Sequence, residues 1–226
     1  MFGWRNSYHL LFLIVRILSL ILLSIVSNFL WAQEDSVKVN KIAPAVYFDY
    51  GKAAGSLIPD YKKWEAGLEI IAFTKLQTIV EYGTWNLQPE SLIENGNYHV
   101  EGTYMRFGLG YLPYIDSESR LGVGFRYAMS DFSDEGDYTI VSESGLQPDV
   151  IESFDSKKLT ANWWEVVFYS DKAVNSWLTM GVNFRLRFNL YHDPYNVTDV
   201  MIVPGYGRAQ DKVVPAFNLM LKIEPF

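Results

Sequence analysis

Apolar and polar residues alternate along much of the chain, and the clearest example is WLTMGVNFRLRFNL, from Trp177 to Leu190. Every second position from Leu178 onward is apolar, while the positions between are small or polar and include Arg185 and Arg187. Successive side chains of a β-strand point to opposite faces, so this pattern predicts a strand with one apolar and one polar face. The rest of the sequence must indicate which face lies inside the fold.

The same two-residue period recurs along the chain and predicts an all-β fold. Eight segments show it, and no segment shows the spacing of a convincing amphipathic helix. The predicted strands are Ile42–Gly51, Lys63–Thr74, Leu76–Trp85, Val100–Tyr111, Arg120–Phe132, Leu159–Ser170, Trp177–Leu190 and Val213–Glu224.

The connections between these strands alternate between long and short. Long connections follow the first, third, fifth and seventh strands, and short ones follow the second, fourth and sixth. This alternation is typical of an outer-membrane barrel with four outward loops, three periplasmic turns and both chain ends in the periplasm. We therefore predict an eight-stranded antiparallel up-and-down transmembrane β-barrel.

The polar faces favour a membrane barrel over a soluble, lipocalin-like one. They contain many glycines, among them Gly83, Gly108 and Gly124, beside long arginines. Glycine on a tightly curved inner wall leaves room for large neighbours, so the polar face is expected to line the lumen and the apolar face to meet lipid. Strands of about ten residues or more also match a tilted membrane crossing.

The first 32 residues have the features of a secretory signal peptide. Their only formal charges are Arg5 and Arg16, and a long apolar run ends shortly before Ala32. We predict cleavage after Ala32, which leaves residues 33–41 as a periplasmic segment before a barrel of residues 42–226. The apolar run is long enough that an uncleaved membrane anchor is the alternative.

Composition excludes several function classes. Removing residues 1–32 takes away two of the 19 basic residues and none of the 26 acidic ones, so the mature chain has a net charge of about −9. An acidic chain without a basic run argues against nucleic acid as a partner. Cysteine is absent, which excludes disulfides and thiolate metal sites.

The predicted inward faces carry six acidic and six basic residues. The interior of an eight-stranded barrel is just wide enough for side chains to fill, and an unpaired charge there is costly. We therefore predict a paired, structural charge network in the lumen; a narrow ion path lined by Arg185 and Arg187 is the alternative. The network is expected to include Asp49, Glu65, Glu69, Glu81, Glu165, Arg106, Arg126, Arg185 and Arg187.

Catalytic and metal-binding signals are weak. The predicted mature chain keeps only His99 and His192, and the triple of Ser130, Asp131 and His192 is of a kind that arises by chance in loops rich in serine and acids. The predicted loop over residues 131–158 begins like a calcium-binding loop, with Asp131, Ser133, Glu135 and Gly136 at the expected spacing, but its twelfth position is Ser142 where a bidentate Glu is required. We expect no enzyme, cofactor or metal site, with loose divalent-cation binding as the alternative for this acidic loop.

The run LTANWWEVVFYSDKAVNSWLTMGVNFRLRFNL, the segment VTDVMIVPGYGR and the early stretch YGKAAGSLIPDYKKWEAGLEI carry a family resemblance. They resemble an uncharacterised family of Bacteroidetes-type outer-membrane barrels, domain of unknown function 6048. The resemblance covers most of the predicted mature chain. It implies a small barrel in a Gram-negative outer membrane and supplies no activity, catalytic residue or cofactor.

A filled barrel without a catalytic set acts through its wall, its loops and its periplasmic ends. We predict a structural or accessory subunit of a larger outer-membrane complex, with an outer-leaflet lipid-modifying enzyme and a narrow pore as alternatives. Expected partners are outer-membrane lipid, the barrel-assembly machinery, and a lipoprotein or larger barrel. Stiff prolines and aromatics favour ordered contacts, so the preferred contact is the last outward loop, through Tyr195, Pro204, Gly205 and Tyr206.

Overall fold

The computed structural model describes residues 42–89, 93, 95–141, 148, 150–193 and 199–224, without the side chains of residues 156 and 157. Several sequence-based expectations lie outside these residues. They are the signal peptide with its cleavage after Ala32, the segment 33–41, Tyr195 of the predicted contact loop, and the terminal Phe226.

Eight antiparallel strands close into one barrel, which confirms the predicted fold class. The chain forms β1 (Ile42–Asp49), α1 (Tyr50–Gly55), β2 (Tyr61–Ala72), β3 (Leu76–Leu87), β4 (Gly96–Tyr111), β5 (Ser119–Ile140), β6 (Val150–Ala173), β7 (Leu178–His192), β8 (Ile202–Val203), β9 (Gly207–Arg208) and β10 (Val213–Ile223). Each strand from β1 to β6 pairs with the strand that follows it. Strand β7 pairs with β10, and β10 closes the barrel against β1. The short β8 and β9 pair only with each other.

The two-residue period assigned the faces of the strands correctly. Outward positions are apolar, as for Val46, Leu68 and Val80, which are neighbours across β1, β2 and β3. Inward positions one residue away hold Tyr47 and Glu69, which are almost fully buried. The barrel therefore has an apolar outer wall and a polar interior, as the alternation of side chains along a strand requires.

Strands β5 and β6 are much longer than predicted. They contain 22 and 24 residues, and together with the start of β4 they continue as a three-stranded sheet beyond the other strands. The predicted acidic loop over residues 131–158 is therefore mostly strand, and the suggested calcium-loop residues Asp131, Ser133, Glu135 and Gly136 lie on β5 instead. A register shift between Phe132 and Asp134 marks where this projecting sheet begins.

Two small elements lie in two of the four long connections at one end of the barrel, which we call the upper end. The helix α1 follows β1, and its first turn is capped by the Asp49 side chain, which accepts from the Lys52 backbone N–H at 3.1 Å. The hairpin β8–β9 lies between β7 and β10. Within the described residues, no helix is both long and apolar enough to cross a membrane.

Candidate functional site

The nine charged side chains expected in the lumen all lie inside the barrel, where each residue is between 0 and 4% exposed. Arg106 connects two of the acids, because its Nη1 lies 2.6 Å from Glu65 Oε2 and its Nε lies 2.8 Å from Glu165 Oε1. Arg185 donates to Glu81 Oε1 at 2.8 Å and forms an ion pair of 3.0 Å with Glu65 Oε1. These groups form one continuous central cluster.

The strand register explains why opposite charges meet in this cluster. Glu81 on β3 lies directly across from Arg106 on β4, and its carboxylate also contacts Arg126 on β5. Glu165 on β6 lies across from Arg126 on one side and Arg187 on the other, with 3.5 Å between Glu165 Oε1 and Arg187 Nε. Neighbouring inward positions on paired strands are close enough to interact, so the pairing follows from the fold itself.

Inward glycines provide the space that the large side chains occupy. A Cβ added at Gly83 would lie 2.2 Å from the Tyr104 ring, and one added at Gly108 would lie 2.6 Å from Arg126 Cγ. Tyr104 uses this space to donate its hydroxyl to Glu65 Oε2 at 2.6 Å. The small residues thus set how far rings and guanidinium groups can extend across the lumen.

The helix α1 contributes a cation that the sequence did not indicate. The Lys52 amine reaches into the lumen, contacts the Glu65 carboxylate and lies 3.3 Å from Asp49 Oδ2. It thereby links Asp49 to the central cluster. Burial lowers the pKa of Lys52 to about 8, although the nearby Glu65 carboxylate acts in the opposite direction.

A second charge cluster lies nearer the opposite, lower end. Lys222 Nζ donates to Glu69 Oε2 at 2.8 Å and to Asp171 Oδ2 at 2.6 Å, while Gln77 Nε2 donates to Glu69 Oε2 at 2.6 Å. Buried apolar side chains accompany this cluster, among them Leu112 from the connection between β4 and β5. The lower half of the lumen is therefore filled as well.

Residues 199–211, which contain β8 and β9 and which we call the plug hairpin, fold into the upper mouth of the barrel. Tyr206 is fully buried, and its ring centroid lies 5.7 Å from that of Trp163. Its backbone carbonyl accepts from Arg187 Nη1 at 2.6 Å, and the carbonyl of Gly205 accepts from Arg106 Nη2 at 2.9 Å. The plug hairpin therefore sits directly on the central cluster.

The tip of the plug hairpin requires glycine. Gly205 has a φ of +84°, and a Cβ there would lie 2.6 Å from the Tyr104 ring and 2.9 Å from Trp163. Both the backbone conformation and the lack of space exclude a side chain at this position. Glycine allows the carbonyl of this turn to approach Arg106.

Three of the four residues predicted to contact a partner are buried. Pro204, Gly205 and Tyr206 are all buried in the barrel mouth by the plug hairpin, so they are not exposed for an external partner. The pattern of prolines and aromatics did signal an ordered segment, but its contacts are with the chain's own lumen. Among the described residues, exposed apolar side chains at the upper end include Leu57 and Ile58 after α1 and those at the tip of the projecting sheet.

The polar residues considered for catalysis do not assemble. Ser130 faces the interior and donates to the Thr103 carbonyl at 2.9 Å, whereas the next residue, Asp131, is exposed on the outside. The ring Nδ1 of His192 lies 3.0 Å from the backbone carbonyl oxygen of Asp193. His99 lies on the projecting sheet, with its Nδ1 3.1 Å from Glu135 Oε1.

Sequence reasoning missed two members of the lumen network for different reasons. Asp171 falls one residue beyond the predicted end of the sixth strand, although the inward series of odd-numbered positions from Glu165 continues to it. Extending that period would have found it. Lys52 had no such signal, because its position depends on how α1 folds back over the barrel mouth.

The chain matches the model of one protein family, "Domain of unknown function (DUF6048)", over residues 9–222, which confirms the family named from the sequence. No curated protein matches it. Among solved structures, the chain is similar to the crystal structure of Acinetobacter baumannii CarO2, with 9% sequence identity and a TM-score of 0.41. That match covers 82% of this chain and 100% of the other.

Proposed function

The chain belongs to the family described as Domain of unknown function (DUF6048), and from its geometry we propose that it spans a bacterial outer membrane as a sealed barrel and acts as a structural or accessory subunit of a larger envelope complex. One observation carries the proposal: the charges lie inside the barrel and the apolar side chains lie outside. We further propose that residues 1–32 direct export and are removed after Ala32.

The side chains on the outer wall of the barrel support a location in a membrane. The wall carries exposed apolar side chains on neighbouring strands, such as Leu68, Val80, Phe107, Phe125 and Val182. In water such a surface would be unfavourable by about 25 cal/mol for each Å² of apolar area, whereas hydrocarbon accepts it. The sheet also closes on itself, because β1 pairs with β10 from Val46 to Asp49, and closure of the sheet is the arrangement that lets a β-structure cross a bilayer.

The side chains that fill the interior support a barrel without an open channel. The central charge cluster, the lower cluster around Lys222 and the plug hairpin occupy successive levels of the lumen. Each buried acid among Glu65, Glu81 and Glu165 has at least two cationic partners, so the charges hold one another in place. This arrangement favours a structural barrel over the alternative of a narrow pore.

The projecting sheet is the best candidate for partner contact. A membrane crossing uses about 9–11 residues of a tilted strand, so β5 and β6, with 22 and 24 residues, extend well beyond it. Their described tip residues Ile140, Val141, Val150 and Ile151 are between 48 and 72% exposed. A cluster of exposed aliphatic side chains on a rigid sheet is typical of a protein contact surface.

The sheet also offers an incompletely paired edge. Residues 150–159 of β6 lie beyond its pairing with β7, which begins at Ala161, so in the described structure β5 is their only neighbouring strand. An extended segment of a partner, such as a lipoprotein or a larger barrel, can add to such an edge through backbone hydrogen bonds. The wall and this edge together fit an accessory subunit.

Purification of the tagged protein from native membranes in mild detergent tests the proposal. We expect stoichiometric recovery of one envelope complex with the unaltered chain, and loss of that complex when Ile140, Val141, Val150 and Ile151 are replaced by Asn. The control replaces Leu57 and Ile58 by Asn and should leave the complex intact. These two aliphatic side chains are also exposed, by 86 and 60%, but lie near α1. Recovery of the barrel alone from native membranes would contradict the accessory role.

A further inference from the structure

A small pocket of about 210 Å³ opens beside the plug hairpin, and we call it the mouth pocket. Its walls come from the upper ends of β2 and β3 and from the plug hairpin, and they include Asp60, Tyr61, Lys63, Trp85, Ile202 and Arg208. It is distinct from the charge clusters of the lumen, because none of the nine network residues lines it.

Lys63 is held in this pocket without a counter-ion. Its Nζ lies 3.8 Å from the ring centroid of Trp85 and 4.1 Å from that of Tyr61, and it donates to the Tyr61 hydroxyl at 2.6 Å. No carboxylate of the described residues pairs with it, in contrast to Lys52 and Lys222. Two aromatic rings fix the position of the ammonium while N–H donors are left over.

Two further residues that carry N–H donors, Trp85 and Arg208, line the same cavity. Trp85 is 6% exposed, and its indole N–H has no hydrogen-bond partner within the described structure. A buried donor without an acceptor is costly, which points to a group that is supplied from outside. Arg208 is exposed at the pocket edge, and it forms no ion pair with the acids that the structure describes.

These donors define the chemistry of the ligand. The Lys63 amine, the Arg208 guanidinium and the Trp85 indole N–H suit a phosphate, which has several acceptor oxygens and two negative charges. The remaining lining, with Leu87 and Ile202, suits the carbon faces of a sugar ring, and the exposed Asp60 carboxylate can accept from hydroxyl groups. We propose that the mouth pocket binds a phosphorylated sugar, either free or as the headgroup of a glycolipid.

Calorimetric titration of the purified full barrel with glucose 1-phosphate tests this site. We expect saturable binding at one site, with at least tenfold weaker binding of glucose and of inorganic phosphate. Lys63→Met and Arg208→Met should each weaken binding of glucose 1-phosphate at least tenfold, because each removes a charge and keeps an apolar stem. Trp85→Phe keeps a ring beside Lys63 and removes the N–H, so it should weaken binding several-fold.

The matched control is Lys62→Met, since Lys62 is the neighbouring lysine, is exposed and does not line the pocket. Its binding should equal that of the unaltered barrel, and an unchanged heat-dependent gel mobility should show that every variant is folded. Equal loss in Lys62→Met and Lys63→Met would overturn the site in favour of a general surface charge. Absence of saturable binding by the unaltered barrel would overturn it outright.

Competition separates the two sources of the ligand. Mixed micelles containing a phosphorylated disaccharide lipid should displace glucose 1-phosphate if the natural ligand is a glycolipid headgroup, and should fail to displace it if the ligand is a free sugar phosphate. Displacement by phosphatidylglycerol micelles to the same extent would contradict recognition of the sugar. The site does not depend on the accessory role, so loss of the envelope complex and loss of sugar phosphate binding are separate outcomes.

Discussion

Glu81 illustrates how a single acid is accommodated inside this barrel. Its side chain is fully buried, and its two oxygens contact Arg106, Arg126 and Arg185, with Arg185 Nη2 at 2.8 Å from Oε1. Removing a carboxylate from water is costly, and only several charged hydrogen bonds offset that cost. The same three arginines depend on Glu81 in return, so the effect of losing it extends over the whole cluster.

We therefore expect Glu81→Gln to destabilise the barrel by about 3–5 kcal/mol, because it removes the carboxylate that pairs with the buried Arg126 and weakens the pairing of Arg106 and Arg185. The measurement is the free energy of unfolding from urea titration of the barrel in phospholipid vesicles. Glu101→Gln is the control, since Glu101 is exposed on β4, and it should change stability by about 0.5 kcal/mol or less. Equal stabilities of the two variants would contradict a structural charge cluster.

Inward glycines give a second prediction for single residues. Gly83→Ala places a methyl group against the rigid Tyr104 ring, so we expect a loss of stability of about 1–3 kcal/mol from overpacking. Gly110→Ala is the comparison, because its Cβ would meet mainly the end of the flexible Gln77 side chain at 2.5 Å. Urea unfolding of both variants should show the larger loss for Gly83→Ala, and the reverse order would contradict the packing described for the lumen.

Among the elements, the plug hairpin is the one that closes the upper mouth of the barrel. It connects β7 to β10 and turns inward, so that Val203 and Tyr206 pack with Trp163 above the arginines. Directly after β7, hydrogen bonds from the Thr160 hydroxyl and backbone N–H lower the pKa of Asp193. A connection that turns inward in this way closes the upper mouth of the lumen. It also buries Pro204, Gly205 and Tyr206, which therefore cannot contact a partner.

The absence of cysteine makes the seating of the plug hairpin directly measurable. We expect Val203→Cys to react at least tenfold more slowly with a water-soluble maleimide than Gln210→Cys, because Val203 is fully buried and Gln210 is exposed on the same hairpin. Unfolding in urea should equalise the two rates. Equal rates in the folded barrel would show that the plug hairpin does not occupy the mouth.

The faces of the strands could be predicted because they depend only on local geometry. The period of two holds wherever a strand forms, so Glu81, Arg106 and Arg185 were assigned correctly to the interior without knowledge of their partners. The ends of the strands were harder to predict from the sequence, since the acidic stretch after Phe132 has the composition of a loop. Within it, Asp134 points inward and accepts from the Tyr98 hydroxyl at 3.0 Å, a contact between residues 36 apart.

Apart from Asp171, the site residues that escaped prediction depend on contacts between distant parts of the chain. The burial of Tyr206 requires Trp163 and Arg187, and the position of Lys52 requires Glu65 across the mouth. No local pattern encodes such contacts. The mouth pocket is of the same kind, because Lys63 and Arg208 come from separate elements that meet only in the folded barrel.

At the scale of the whole molecule, the distribution of polarity distinguishes a membrane barrel from a soluble one. Leu68 lies in the middle of the wall strand β2 and is 59% exposed, while Ile151 lies on the projecting sheet and is 72% exposed. In water, arginine at either position would be tolerated. In a bilayer only the position within the wall lies in hydrocarbon.

We expect Leu68→Arg to lower the free energy of unfolding of the barrel in phospholipid vesicles by about 2–4 kcal/mol, which is the cost of arginine near the bilayer midplane. Ile151→Arg should change it by about 0.5 kcal/mol or less, because the projecting sheet lies in water. Both are measured by urea titration in the same vesicles. If both variants keep the stability of the unaltered chain, the wall does not face lipid, and the membrane location and the accessory role proposed from it both fail.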